Sequence, residues 1–193
     1  MEERIKRLLL ETEVIKTDEI ELYSYGLDLL VKKIVHITII LTIGVITGKF
    51  GEVLFFLLAY SCIREYSGGY HAKTEAGCCI CSIIVTVSVV TMIYLLPRLN
   101  SIALQLFLLI CAMLIWVLSP QDFYNKPLDV EEVVIFRKKA RKLLTISAMI
   151  LLLTYSNDVL FLGIACSWIV QAVMLSTVAA KKFFQNIKCK ERI

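Results

Sequence analysis

The stretch 64–81, R-E-Y-S-G-G-Y-H-A-K-T-E-A-G-C-C-I-C, sets one of the chain's two histidines, His71, ahead of three of its seven cysteines, Cys78, Cys79 and Cys81. An imidazole that reaches a thiol can take its proton and leave a thiolate nucleophile, which is the arrangement cysteine peptidases need. His71 and Cys78 are seven positions apart. On one straight helix that spacing is about 10.5 Å along the axis, too far for direct proton transfer, so a working pair requires a bend. Gly68, Gly69 and Gly77 give the backbone freedom for one. An apolar run begins at Gly77, which puts Cys78 in the first turn of a helix, where unpaired N–H groups and the helix dipole favour a thiolate.

Other readings of the same residues stand beside this one. Cys79 or Cys81 can equally be the thiol. The C-x-x-C from Cys78 to Cys81 suggests a redox pair or, with His71, a metal site. The redox motif normally follows a strand in a soluble βαβ setting that nothing here suggests. A closed zinc site needs four ligands, and crowded thiols on one helical turn make an awkward set. No metal or cofactor is therefore expected. Arg64 and Lys73 flank the site and can hold a substrate carboxylate or an oxyanion, or simply face lipid phosphates. Glu65 and Glu75 are the nearest carboxylates, but neither spacing singles one out, so a Cys–His dyad is the expectation. His36 reads as an interfacial histidine, Cys111 and Cys166 as core thiols, and Trp116 and Tyr124 as residues of a membrane-boundary belt.

The elements that position these residues are membrane elements. The chain of 193 residues is 58% hydrophobic with mean hydropathy +0.75, too apolar for a soluble domain and long enough for several crossings. Apolar runs occur at about 34–47, 53–63, 77–96, 101–118, 143–155 and 158–180. The third, fourth and sixth are long enough to span; the first, second and fifth are short and either borrow flanking residues or are re-entrant. The reading is an all-α polytopic membrane protein of about six transmembrane helices, with four spans plus two re-entrant pieces as the alternative. A single integral membrane domain, 1–193, is expected. It has an amphipathic interfacial segment at 1–33, a transmembrane region at 34–180 and a basic tail at 181–193. In the first segment Ile5, Leu8, Leu9 and Thr12 share a helical face, Ile20, Tyr23, Leu27, Leu30 and Ile34 continue the spacing, and Thr17-Asp18 breaks it. The first 33 residues carry no secretion-signal pattern.

Charge gives the orientation. Of 21 Lys and Arg residues, 19 fall in 1–33, 64–76, 119–142 and 181–193, leaving Lys49 and Arg98 for the other side. The positive-inside rule then makes the location a cell membrane, multi-pass, with both termini and the 64–76 loop cytoplasmic. The net charge of +4 suits anionic headgroups of the inner leaflet or an acidic partner, and no nucleic-acid-binding pattern accompanies it. The competing class is a non-enzymatic membrane transporter or interaction module in which Gly68-Gly69 is only a turn.

Arg64, Gly69, His71, Ala72 and Cys78, as R-x4-G-x-H-A-x5-C, resemble the signature of the accessory gene regulator B family, bacterial membrane peptidases that mature quorum-sensing peptides. Ser119-Pro120, then Lys126-Pro127-Leu128 and Arg137-Lys138-Lys139, look like that family's proline-containing basic loop, so the likeness covers nearly the whole chain. By this resemblance Cys78 is the nucleophile and His71 its base. It further implies that Arg64, Gly69, Lys73, Lys126, Arg137, Lys138 and Lys139 are candidates for substrate binding, with the competing view that Lys126 and the basic cluster at 137–142 only enforce topology. The substrate is a short amphipathic propeptide, cut near its C-terminal end through an acyl-enzyme thioester and closed to a thiolactone or lactone. The resemblance also implies a homodimer.

Overall fold

The computed structural model describes residues 20–69, 75–121, 129–155 and 157–190. The expected helical face of 1–19 and the Thr17-Asp18 break lie outside them. Among the described residues the structure is helical and contains no strand. The chain divides into two compact units between Ile40 and Leu41.

In the first unit, helix α1 (Ile20–Ile46) runs unbroken past Lys32 and Lys33, although hydropathy alone starts an apolar run only at 34. Lysine is a good helix former, and Lys32 Nζ pairs with Asp28 Oδ2 at 2.5 Å one turn back. Charge interrupts hydropathy there without interrupting helix. Leu30, Val31, Ile34 and Val35 are exposed, as expected of a helix whose apolar surface meets lipid.

The second unit takes the end of α1 and then α2 (Phe50–Ser67), α3 (Glu75–Leu95), a 3₁₀ turn (Leu96–Arg98), α4 (Ser101–Leu118), α5 (Val130–Leu153) and α6 (Asp158–Lys190). Helix starts follow the capping side chains. Asn100 Oδ1 accepts from the N–H of Ile102 at 3.0 Å, and Asn157 Oδ1 from that of Leu160 at 3.3 Å. At α5 the Asp129 N–H donates to Glu132 Oε2 at 3.3 Å.

Helix α6 is the core of this unit: every residue from Phe161 to Ala172 is buried. Helices α2, α3, α4 and α5 all pack on it, α2 most extensively. The buried positions explain why. In α2 they are Glu52 and then Val53, Phe56, Tyr60, Ile63 and Ser67, the last five in alternating steps of three and four that lay one stripe along a neighbour. In α4 they are Leu104, Leu108, Cys111 and Ile115. A Cβ at Gly163 would lie 2.8 Å from both the Glu52 carbonyl oxygen and Phe55 Cβ, so the two backbones touch there. Trp168 Nε1 donates to Ser147 Oγ at 3.1 Å, a buried bond from α6 to α5.

Among the described residues four stretches are long and apolar enough to cross a bilayer: Gly26–Ile46, Cys79–Arg98, Ser101–Leu118 and Asp158–Phe183. The outward faces of α3 and α4, including Ile84, Val87, Leu106, Ile110 and Val117, are exposed and apolar. The short run at 53–63 sits in the 18 residues of α2 and that at 143–155 in the 24 of α5. At about 1.5 Å per residue both are close to or above bilayer-core length, but their charged ends keep them below the apolarity of the other four. The architecture is the expected all-α membrane protein.

Candidate active site

The last turn of α2 is where the polar groups of the second unit converge. Gly68 ends the helix: its N–H donates to the Arg64 carbonyl at 3.0 Å, and its φ of 74° is one that only glycine adopts freely. A side chain at Gly68 would also collide with the Gln121 carbonyl oxygen. Gln121 follows the cis peptide Ser119-Pro120, and its N–H donates to the Ser67 carbonyl at 3.0 Å. From α6, Gln171 Nε2 donates to Ser67 Oγ at 2.5 Å and to the Gly68 carbonyl at 2.8 Å. Ser67 Oγ in turn donates to the Ile63 carbonyl at 2.8 Å. Ser67, Gly68, Gly69, Ser119 and Gln171 are all buried. Two groups here have no hydrogen-bond partner, Ser119 Oγ and Gln171 Oε1.

Helix α3 is described from Glu75, and Cys78 is the fourth residue of that span. Gly77 is not a hinge at the helix border: it lies inside α3, which already includes Glu75 and Ala76. His71, Ala72, Lys73, Tyr124, Lys126, Pro127 and Leu128 fall outside the described residues, as do the side chains of Glu75 and Cys78.

The other candidates are spread along the six helices and the turn after α2. Arg64 lies in the last turn of α2; its Nη1 donates to Tyr60 Oη at 3.1 Å and its guanidinium stands 5.4 Å from the Tyr60 ring centre. Gly69 follows the turn, buried near Gln171 and Met174. Of the basic cluster on α5, Lys139 is brought to the end of α2, its Nζ 5.0 Å from the Tyr66 ring centre, while Tyr66 meets Phe136 edge-on. Arg137 and Lys138 are exposed. Arg141 stacks over Trp116 at 4.7 Å, and its Nε is buried without a hydrogen bond. Glu65 is exposed and His36 half-buried. Cys62, Cys79, Cys81, Cys111 and Cys166 are free thiols, the last two buried. Among the described residues no three His, Cys, Asp or Glu side chains come close enough to hold a metal ion. Sequence reasoning missed Gln171 and Gln121. The only signal for Gln171 was one strongly polar residue in the middle of the apolar run 158–180.

The other end of α2 is built differently. Lys49 Nζ bonds Glu52 Oε1 at 2.9 Å and stands 5.4 Å from the Tyr94 ring centre, while Tyr94 Oη donates to the Thr47 carbonyl at 2.9 Å. The hydrogen bond to Glu52 holds the Lys49 ammonium above the usual lysine range, against the opposing pull of burial.

A helical protein with four bilayer-length apolar stretches among its described residues is a membrane protein, and Cys78 lies in α3 directly ahead of one of them. The comparisons give the family. The accessory gene regulator B family model matches residues 2–175, and the chain belongs to that family, which is involved in processing quorum-sensing autoinducer peptides. Similar proteins, each named only for its AgrB likeness, occur in three bacteria. That of Halalkalibacterium halodurans is 23% identical over 166 residues, covering 86% of this chain and 80% of its own length. That of Clostridium perfringens is 27% identical over 165 residues, covering 82% and 75%. That of Listeria innocua is 29% identical over 154 residues, covering 78% and 73%. No solved structure matches the chain.

Proposed function

We propose that this protein is a membrane-embedded cysteine endopeptidase with a Cys78–His71 dyad, which cuts a short autoinducer propeptide near its C-terminal end and promotes closure of the released part to a thiolactone or lactone. The observation that carries this reading is the accessory gene regulator B match over residues 2–175, with Cys78 in α3 directly ahead of Cys79–Arg98, a stretch apolar enough to cross the bilayer. A thiol there feels the partial positive charge of the helix N-terminus.

His71 takes the Cys78 proton, and the thiolate attacks the carbonyl carbon of the scissile bond. The imidazolium returns that proton to the departing amine, leaving the N-terminal part of the propeptide as a thioester on Cys78. A thiol or hydroxyl within the bound peptide then gives its proton to the now neutral His71, attacks the thioester carbonyl and releases Cys78 as thiolate. One thioester replaces another when the ring is a thiolactone, so the step is close to balanced apart from loop-closure entropy. Water has to be kept away, because hydrolysis would otherwise win. Arg64, Gly69, Lys73, Lys126, Arg137, Lys138 and Lys139 are the proposed substrate-binding residues. The basic ones among them face an acidic peptide end or the anionic inner leaflet.

In this scheme the chain crosses the membrane several times with both termini and the 64–76 segment cytoplasmic, and it works as a homodimer. Enzyme and amphipathic propeptide share one leaflet, which raises their effective concentration. Cells that co-express the cognate propeptide supply the test. Cys78→Ala and His71→Ala are expected to abolish cleavage, while Cys79→Ala and Cys81→Ala keep it. Wild-type cleavage by either of the first two variants would refute the assignment, and equal loss from Cys81→Ala would point to redox chemistry.

A further inference from the structure

Gln171 is a group that the scheme above leaves unused. It is fully buried, 0% exposed, in a helix otherwise apolar enough to span. Its orientation is fixed by its partners. The Gly68 carbonyl can only accept, and Ser67 Oγ has already given its proton to Ile63, so both face the amide nitrogen of Gln171. The oxygen, Oε1, is left facing away with no partner. An apolar side chain would avoid this unmet acceptor, so the amide is costly as a core filler. What the amide adds is two hydrogen bonds to a single turn, from a residue more than a hundred positions away in the chain. That turn is also held by the N–H of Gln121 and closed to any side chain at Gly68. It is where the chain leaves α2, and His71 follows Gly69 by two positions.

We propose that Gln171 is a positioning residue of the peptidase. By fixing the Ser67–Gly68 turn it sets the direction in which the chain departs toward His71, and so governs whether the imidazole can ionise Cys78. It acts through the turn and touches no reacting atom. The inference rests on the dyad reading of the preceding subsection.

The test uses the full chain in nanodiscs of phosphatidylcholine and phosphatidylglycerol, with iodoacetamide as the probe and mass spectrometry to follow alkylation at Cys78 from about pH 5 to 10. In the wild type the alkylation midpoint is expected below the ~8.5 of an ordinary thiol. Gln171→Met keeps the length of the side chain and removes both donors. It is expected to move the midpoint up by about one unit and to slow alkylation at neutral pH by about tenfold. Ser67→Ala removes one of the two contacts and is expected to shift the midpoint less, in the same direction; it carries the test alone if Gln171→Met does not fold. A lowered melting temperature with an unchanged midpoint makes Gln171 a purely structural residue and overturns the proposal. A wild-type midpoint already at the ordinary thiol value brings down the dyad itself, and this inference with it.

Discussion

The two ends of α2 handle their polar groups in opposite ways. At its N-terminal end, Lys49 and Glu52 pair with each other and the Tyr94 hydroxyl finds a backbone carbonyl. At its C-terminal end, Gln171, Ser67, Gly68 and Gln121 bind one another yet leave Gln171 Oε1 and nearby Ser119 Oγ without partners. A closed ion pair fits a purely structural anchor. Unmet polar groups in a membrane protein's interior, beside the segment that carries the candidate base, fit a place where geometry is maintained at a cost in stability.

Both ends depend on α2 lying against α6, and the largest expected effect comes from separating them. Gly163→Leu would push a side chain into the Glu52 carbonyl, Phe55 and the Phe56 N–H. Overpacking of this kind costs about 3 kcal/mol or more, so the variant is expected to lose its cooperative melt in detergent. A melt like the wild type's would mean that α2 and α6 are not so closely packed.

Two glycines with similar positive φ separate the ends further. Gly48 has φ 67° and Gly68 φ 74°, but a Cβ at Gly48 meets nothing within 4 Å, whereas one at Gly68 meets the Gln121 carbonyl. Gly48→Ala is expected to cost only the left-handed strain, about 1 kcal/mol, and to leave cleavage intact. Gly68→Ala is expected to cost more in the same thermal melt and to abolish cleavage. Equal effects would erase the distinction between the ends.

Smaller still is the buried bond from Trp168 to Ser147. Trp168→Phe removes the donor and part of the ring, for an expected loss of about 1–2 kcal/mol in thermal unfolding with proteolysis unchanged in specificity.

The smallest effect belongs to the Lys49–Glu52 pair, worth under about 1 kcal/mol. The folded state holds the Lys49 proton more tightly than the unfolded chain does. The stabilisation is therefore complete below the unfolded lysine value of about 10.4 and is lost as pH rises through the higher folded value. Unfolding of the wild type followed at high pH should show this loss, and Glu52→Gln should weaken it.

Several of these features could be read in the sequence. The runs 77–96, 101–118 and 158–180 match α3, α4 and the spanning part of α6, because nothing but helix satisfies the backbone in lipid. The break at Ser67-Gly68-Gly69 was legible because glycine there has a conformational reason. Hydropathy misplaced the starts of α1 and α5, since Lys32, Lys33 and the basic residues from Arg137 to Lys142 are good helix formers that merely lower apolarity. Gly77 looked like a hinge and is helical, because one glycine near a helix start is an affordable loss of about 1 kcal/mol. Gln171 was invisible: its role is defined by Ser67 and Gly68, which no local pattern connects to it.

The account rests most heavily on the Cys78 sulfur forming the covalent intermediate. Its direct measurement is intact-protein and peptide-mapped mass spectrometry of the purified enzyme quenched at low pH during turnover of the propeptide. The expected result is a hydroxylamine-labile acyl adduct on Cys78 that carries the N-terminal part of the propeptide and is absent from Cys78→Ala. An adduct mapped to Cys79 or Cys81, or cleavage that proceeds with no adduct on any cysteine, would contradict it.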